Sequence, residues 1–159
     1  MKKHKHSRYA VILFCIWLLP VFGIAQDCEA ITRKQLKDKL EQMGFTVKML
    51  TEKAGEEKYE VNHPSTDFNV PVAYEISAST NYIWLTAFLG NAEPVIESKS
   101  VEMLKENSKI QPCFFYITAK GNLMMGLAIE NRGVTNTILR KNIDKIVSEV
   151  SKTAAIWQK

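Results

Sequence analysis

The chain has 159 residues, 46% of them hydrophobic and 24% charged, with a formal net charge of +4. Four of its 21 basic residues, Lys2, Lys3, Lys5 and Arg8, precede the first acid, Asp27, so residues 26–159 balance at 17 basic and 17 acidic. A neutral body of that length suits one domain and lacks the electrostatic footprint that nucleic acid demands, while its single histidine, His63, leaves too few ligands for an ordinary zinc site.

In chain order, "MKKHKHSRYAVILFCIWLLPVFGIAQ" begins basic, continues apolar from Tyr9 to Phe22, and reaches the small residues Gly23 and Ala25. That order is the pattern of a secretory signal peptide over residues 1–25, with cleavage near Ala25 and an exported, periplasmic or secreted remainder. The competing expectation is a retained membrane anchor, but the run is shorter than the ~20 apolar residues of a span, and Pro20 and Gly23 interrupt its end. "IAQDC" before Cys28 lacks the Leu-small-small-Cys order of a lipidation site. With Cys15 in the leader, Cys28 and Cys113 remain, and an oxidising compartment permits either a disulfide between them or two separate thiols.

Residues 26–159 read as one domain, with no long linker, repeat or low-complexity tract. "ITRKQLKDKLEQMG" predicts an amphipathic helix: Thr32 and Gln35 form a capping box, Ile31 and Leu36 a hydrophobic staple, Leu36, Leu40 and Met43 one face, and Gly44 the stop. Period-two patterns follow in "FTVKML" (Phe45, Val47, Met49), "KYEVNH" (Tyr59, Val61) and "VPVAYEIS" (Val70, Val72, Tyr74, Ile76). In "YIWLTAFLG" Ile83, Leu85 and Ala87 alternate with Tyr82, Trp84 and Phe88, which predicts a strand covered on both faces.

Ser98 or Ser100 caps a second expected helix, with Val101 and Leu104 inward and an end near Asn107. "CFFYIT" and "LMMGLAIE" read as a hairpin joined by "AKGN". Leu139, Ile143, Ile146, Val150, Thr153 and Trp157 then repeat at steps of four and three, widened by Ile138 and Val147, with Lys141, Lys145, Glu149 and Lys152 on the outer face. The expected architecture is α+β, an antiparallel sheet flanked by helices in the order α-β-β-β-β-α-β-β-α.

Chemistry-bearing residues are sparse. His63 in "VNHPSTD" lies near Ser65 and Asp67, the residue types of a hydrolytic site, but on a Pro-containing stretch without a nucleophile elbow, which favours a plain surface-loop histidine. Glu56 and Glu57 read as a solvated turn, and Gly121 to Gly126 lacks a phosphate-loop pattern. Trp84, Phe88, Phe114, Phe115 and Tyr116 invite a stacking reading that the charge balance does not support; strand cores and a dimer surface account for them.

The strongest polar phrase is Glu130-Asn131-Arg132-Gly133. It reads either as a polar corner where exposed amides at a helix N-terminus hold an anion, or as a turn in which Thr135 or Asn136 caps the last helix, and the second reading is favoured.

"LEQMGFTVK", "IWLTAFLG", "ENSKIQPCFFYI", "GNLMMGLAIENRGVTNTILRKNID" and the closing Trp157 together resemble the YbjN-like, type III secretion chaperone-like proteins, over Thr32 to Trp157. The resemblance implies a helix-flanked antiparallel sheet, frequently a homodimer, with no catalytic residues and no cofactor to carry over. Chaperones of this fold hold partly unfolded partner segments, and YbjN relatives are described as sensory transduction regulators. A signal peptide departs from both patterns. The expected function is therefore an exported, non-enzymatic module that binds a protein segment or itself through helix and sheet-edge surfaces. The alternative is a small hydrolase or ligand-binding enzyme using His63 with Asp67, or Glu130 with Arg132.

Overall fold

The computed structural model describes residues 29–158, with the side chains of residues 93–98 left aside. Residues 1–28, and with them the cleavage and disulfide expectations, lie outside the described residues. The elements are α1 (Arg33–Gln42), β1 (Lys48–Thr51), β2 (Lys58–Pro64), β3 (Asn69–Ile76), β4 (Tyr82–Asn91), α2 (Glu93–Glu106), β5 (Phe114–Ile117), β6 (Asn122–Glu130), α3 (Asn136–Lys152) and α4 (Ala154–Trp157). All six strands pair antiparallel in the order β1-β2-β3-β4-β6-β5, so the expected α+β class and element order hold.

Local chemistry explains most boundaries. Thr32 Oγ1 accepts from the Gln35 amide at 3.2 Å, and the Gln35 side chain accepts from the Thr32 amide at 2.7 Å, completing the capping box of α1. Gly44, at φ 85°, follows the C-cap in a conformation that other residues adopt only with strain. Thr135 Oγ1 likewise accepts from the Ile138 amide and starts α3. The last helix breaks once: Thr153, 3% exposed, turns its hydroxyl back to the Glu149 carbonyl at 2.6 Å, and the indole of Trp157 donates to the Val150 carbonyl at 3.0 Å.

The core lies on one face of the sheet. Val61, Val72, Tyr74, Leu85, Met125 and Leu127 meet Leu36 and Leu40 of α1, Met103 of α2, and Leu139, Ile143, Ile146 and Val150 of α3 in a single buried cluster. Burying each of these larger apolar side chains contributes ~1.5–3 kcal/mol, which ties the short helices to the sheet. Ile156 and Trp157 of α4 pack against the same cluster.

Several expectations need correction, among them that Ile138 widens the buried stripe of α3, since it is 43% exposed. The β4 strand is central but is not covered on both faces: Tyr82 is 48% and Phe88 53% exposed, because the helices contribute their buried side chains to the opposite face. α2 begins at Glu93 with Pro94 in its first turn, where a missing N–H costs nothing, so neither Ser98 nor Ser100 caps it. Val101 and Leu104 of α2 point outward, at 63% and 70% exposure, and Met103 takes the inward place. Glu149 is not on the solvent face of α3: it is 7% exposed, with Lys145 and Lys152 at 3.0 and 3.1 Å.

Candidate functional site

The phrase that closes β6 resolves into a clamp. Asn131 is fully buried; its backbone N–H donates to the Asn81 carbonyl at 2.7 Å, its side-chain Nδ2 donates to the Thr80 and Ile31 carbonyls at 2.8 and 3.0 Å, and its Oδ1 accepts from the Ile31 N–H at 3.2 Å. One amide thereby joins the end of β6, the β3–β4 turn and the segment entering α1. Its donors and its acceptor all have backbone partners and the residue is fully buried, so the amide is committed to the clamp. Glu130 and Arg132 are exposed, and Gly133, at φ 63°, turns the chain toward the Thr135 cap. The candidate corner Glu130, Asn131 and Arg132 therefore does not converge: its middle residue points inward while the outer two face water.

His63 is not a surface-loop residue. The β2 strand continues through Pro64, and its alternation carries Tyr59, Val61 and His63 to the core face. His63 is 4% exposed, its Nε2 shares a 2.6 Å hydrogen bond with the Tyr74 hydroxyl, and the Phe45 ring meets it edge-on with centroids 4.7 Å apart. Arg140 of α3 stacks over Phe45 at 4.3 Å and donates to the Met43 carbonyl at the end of α1 at 2.8 Å. Burial, reinforced by the Arg140 guanidinium and opposed by Asp144, holds the His63 imidazole down at about 4. Burial also raises the Tyr74 phenol above its ordinary range. At neutral pH both partners are uncharged, a packing arrangement with no activated base or nucleophile in it.

The remaining members of the hydrolase reading lie apart from this pair. Asp67 is exposed on the β2–β3 turn, and Ser65 pairs through its hydroxyl with Ser151 of α3, which in turn donates to the Val147 carbonyl at 3.0 Å. Glu57 departs from the expected solvated turn: its Oε2 accepts from the Gly55 amide at 2.9 Å and lies 3.5 Å from Arg33 Nε. Two clefts of about 480 and 460 Å³ share Arg33, Gly55, Glu57 and Ile76 in their walls. There the guanidinium faces the Glu57 carboxylate in an ion pair and donates from Nη2 to the Ile76 carbonyl at 3.4 Å, while its buried Nε makes no hydrogen bond. Among the described residues no three His, Cys, Asp or Glu side chains gather as metal ligands. Cys113 is 1% exposed, and burial pushes its thiol up to about 11, the state of a packed rather than a reactive cysteine.

The feature least explained by packing is the second face of the sheet. β4 presents Tyr82, Trp84, Thr86 and Phe88 there, β6 presents Met124, Gly126 and Ala128, and β5 presents Phe114 and Tyr116, as the pairings of Trp84 with Ala128, Thr86 with Gly126, Phe88 with Met124 and Phe114 with Gly126 require. Phe114 and Tyr116 fold over Gly126, where an added Cβ would come within 3.0 Å of both rings; Trp84 meets Phe114 edge-on at 6.3 Å. Across β1, β2 and β3 the same face carries the pairs Lys48–Glu60 at 3.1 Å and Lys58–Glu75 at 3.0 Å. No described helix covers this face.

The sheet's edges are less accessible than its face. On the β5 edge the outward-pointing groups of Phe115 are taken by a side chain: Phe115 N–H donates to Asn107 Oδ1 at 2.7 Å, and Asn107 Nδ2 donates to the Phe115 carbonyl at 3.3 Å. The β1 edge is four residues long and carries a register shift between Met49 and Thr51. Beside β5, a cleft of about 210 Å³ opens against α2, walled by Met103, Leu104, Phe115, Ile117 and Leu123.

Sequence reasoning missed the burial of His63 and the inward turn of Glu57; the alternation Tyr59, Val61, His63 was the available signal for the first. Comparison of the chain with protein-family models, curated proteins and solved structures returns no match.

Proposed function

We propose that this protein is an exported, non-enzymatic interaction module of the YbjN-like kind, binding a protein segment or a copy of itself. The observation that carries the reading is the helix-free sheet face, on which Tyr82 and Phe88 are about half exposed beside the Trp84–Phe114–Tyr116 cluster. Exposed aromatic patches with polar rims are the ordinary form of a protein-binding surface. The candidate catalytic groups give no matching support to the rival enzyme reading: His63 is committed to Tyr74, Asp67 is exposed on its turn, and Asn131 spends its amide on backbone. Occupation of the Phe115 backbone by Asn107 on the β5 edge turns the proposal from strand addition toward the face.

The test begins with protein expressed from the full-length sequence and recovered from the exported fraction without reductant. Intact mass reports whether residues 1–25 have been removed and whether two protons are missing from Cys28 and Cys113. A retained leader would leave a membrane association in play. Self-association by light scattering and binding of a panel of extended apolar peptides then address function. Absence of both kinds of binding sinks the interaction reading. Turnover of a simple ester, amide or phosphoester that vanishes in a folded His63→Gln variant would replace it with the enzyme.

A further inference from the structure

We propose that the cleft around Arg33 and Glu57, between the start of α1 and the β1–β2 turn, binds a neutral polyhydroxylated ligand, a monosaccharide or the sugar end of a glycan. The inference concerns a small molecule and stands independently of the interaction-module reading.

The first argument is an incompletely bonded guanidinium. The Arg33 side chain is only 21% exposed, yet among the described residues its one hydrogen bond runs from Nη2 to the Ile76 carbonyl, at 3.4 Å. Glu57 Oε2 lies 3.5 Å from Nε without bonding it, and the carboxylate accepts only from the Gly55 amide, at 2.9 Å. A largely buried arginine ordinarily fills its fork with acceptors, so this pair keeps donors and acceptors in reserve. Only Nε is sealed from the surface, which leaves Nη1 and Glu57 Oε1 accessible and without partners among the described residues. Both residues wall both lobes of the cleft.

The second argument is charge. Arg33 and Glu57 cancel, and the other charged wall groups are also paired: Lys58 with Glu75 at 3.0 Å, Lys34 with Asp38 at 3.0 Å, and Glu56 with Lys53. An anion brought to Nη1 meets the Glu57 carboxylate beside it, and a cation brought to Glu57 meets the guanidinium. Adjacent hydroxyls do neither. One oxygen accepts from Nη1 while its neighbour donates to Oε1, so a diol matches the pair without adding charge to a neutral site.

The third argument is shape. The two lobes, of about 480 and 460 Å³, meet at Arg33 and Glu57 and lie within the ~300–1,000 Å³ of small-molecule sites. Half-buried Trp84 walls the first lobe and offers an indole ring to the C–H face of a sugar. The second lobe has a fixed wall in Thr80, a β-branched residue at φ 59°. Asn131 Nδ2 donates to its carbonyl at 2.8 Å, and its own N–H donates to the Ser77 carbonyl at 2.9 Å. A wall held in this way loses little freedom when a ligand binds.

The experiment is a titration of isotope-labelled, full-length-derived protein with glucose, galactose, mannose and N-acetylglucosamine, each to ~20 mM, followed by proton–nitrogen spectra. Acetate, methylammonium and glycine serve as charged probes at the same concentration. The expected result is a dissociation constant between ~0.1 and ~10 mM for at least one sugar. Its binding should move the Trp84 indole and Gly55 amide signals and leave the Trp157 indole, bonded to the Val150 carbonyl, in place. Glu57→Ala and Arg33→Lys should each weaken that binding by ~fivefold or more. The Glu57 side chain is 27% exposed on a turn, so at least that variant keeps the fold, which circular dichroism checks. No response to any of the sugars overturns the inference, and so does binding undiminished in both variants, which places the site elsewhere. A charged probe that moves the same signals when the sugars do not overturns the polyol assignment in favour of an ion.

Discussion

Acidification should loosen this protein through His63, and the size of the effect follows from its surroundings. In the unfolded chain the imidazole titrates near its ordinary 6.5; in the fold, burial and the Arg140 guanidinium hold it at about 4. The folded state thus binds this proton less readily than the unfolded state. The stability tied to neutral His63 is complete above 6.5, declines as pH falls from 6.5 toward 4, and has no more to lose below that. Across the full window the difference corresponds to ~3 kcal/mol, and between pH 7 and pH 5 to ~2 kcal/mol, at 1.36 kcal/mol per unit.

The carboxylates also weaken the fold in acid. Burial by itself would raise the Glu149 carboxyl, but the ammonium groups of Lys145 and Lys152 outweigh it and hold it below the usual range, so its stabilisation too is lost as pH falls. The informative quantity is therefore the difference between the parent and His63→Gln in urea unfolding, taken at pH 7, 6 and 5. Glutamine keeps a polar group near the Tyr74 hydroxyl and cannot acquire a charge. The variant should be the less stable protein at pH 7, and its deficit should shrink by ~2 kcal/mol by pH 5. A deficit that stays constant over that range would refute the account, because His63 would then titrate alike in both states.

Two further outcomes follow from single residues. Asn131→Ala deprives the Ile31 N–H, Ile31 carbonyl and Thr80 carbonyl of their partner and should cost ~2–3 kcal/mol, with faster amide exchange at Ile31; Asn131→Asp should do nearly as badly, since a carboxylate cannot donate to two carbonyls. A loss below ~0.5 kcal/mol in denaturant unfolding would remove the clamp from the account. Gly126→Ala puts a methyl 3.0 Å from the Phe114 and Tyr116 rings, which can swing outward, so stability should fall by only ~1 kcal/mol; a loss above ~3 kcal/mol in denaturant unfolding would show that those rings cannot yield.

Much of this was legible in the sequence for local reasons. Capping of α1 by Thr32 and Gln35, the stop at Gly44, the Thr135 cap and the four-and-three apolar spacing of α3 are interactions between residues a few positions apart, so their partners can be read without knowing the fold. The alternation in β3, Val70, Val72, Tyr74 and Ile76, likewise survives intact because one face of that strand is buried and the other is not. At the junction after β6, Gly133 and Thr135 mark the turn and the cap of α3 through contacts within a few residues.

What tertiary structure alone decided is which apolar residues end up inside and which polar ones do. The pattern of β4 contains large apolar side chains on both faces, and only the placement of every packed helix on one side leaves Tyr82 and Phe88 open. His63 reads as a loop residue beside Pro64 and Ser65 until β3 supplies the Tyr74 hydroxyl and α3 lays Arg140 over Phe45. Asn131 reads as a surface polar residue until Ile31, one hundred positions earlier, comes within hydrogen-bonding reach. Periodicity along the chain records that a side chain has a preferred face; it holds no information about the distant partner that makes burial of a polar group affordable, and that partner is fixed only when the sheet closes around it.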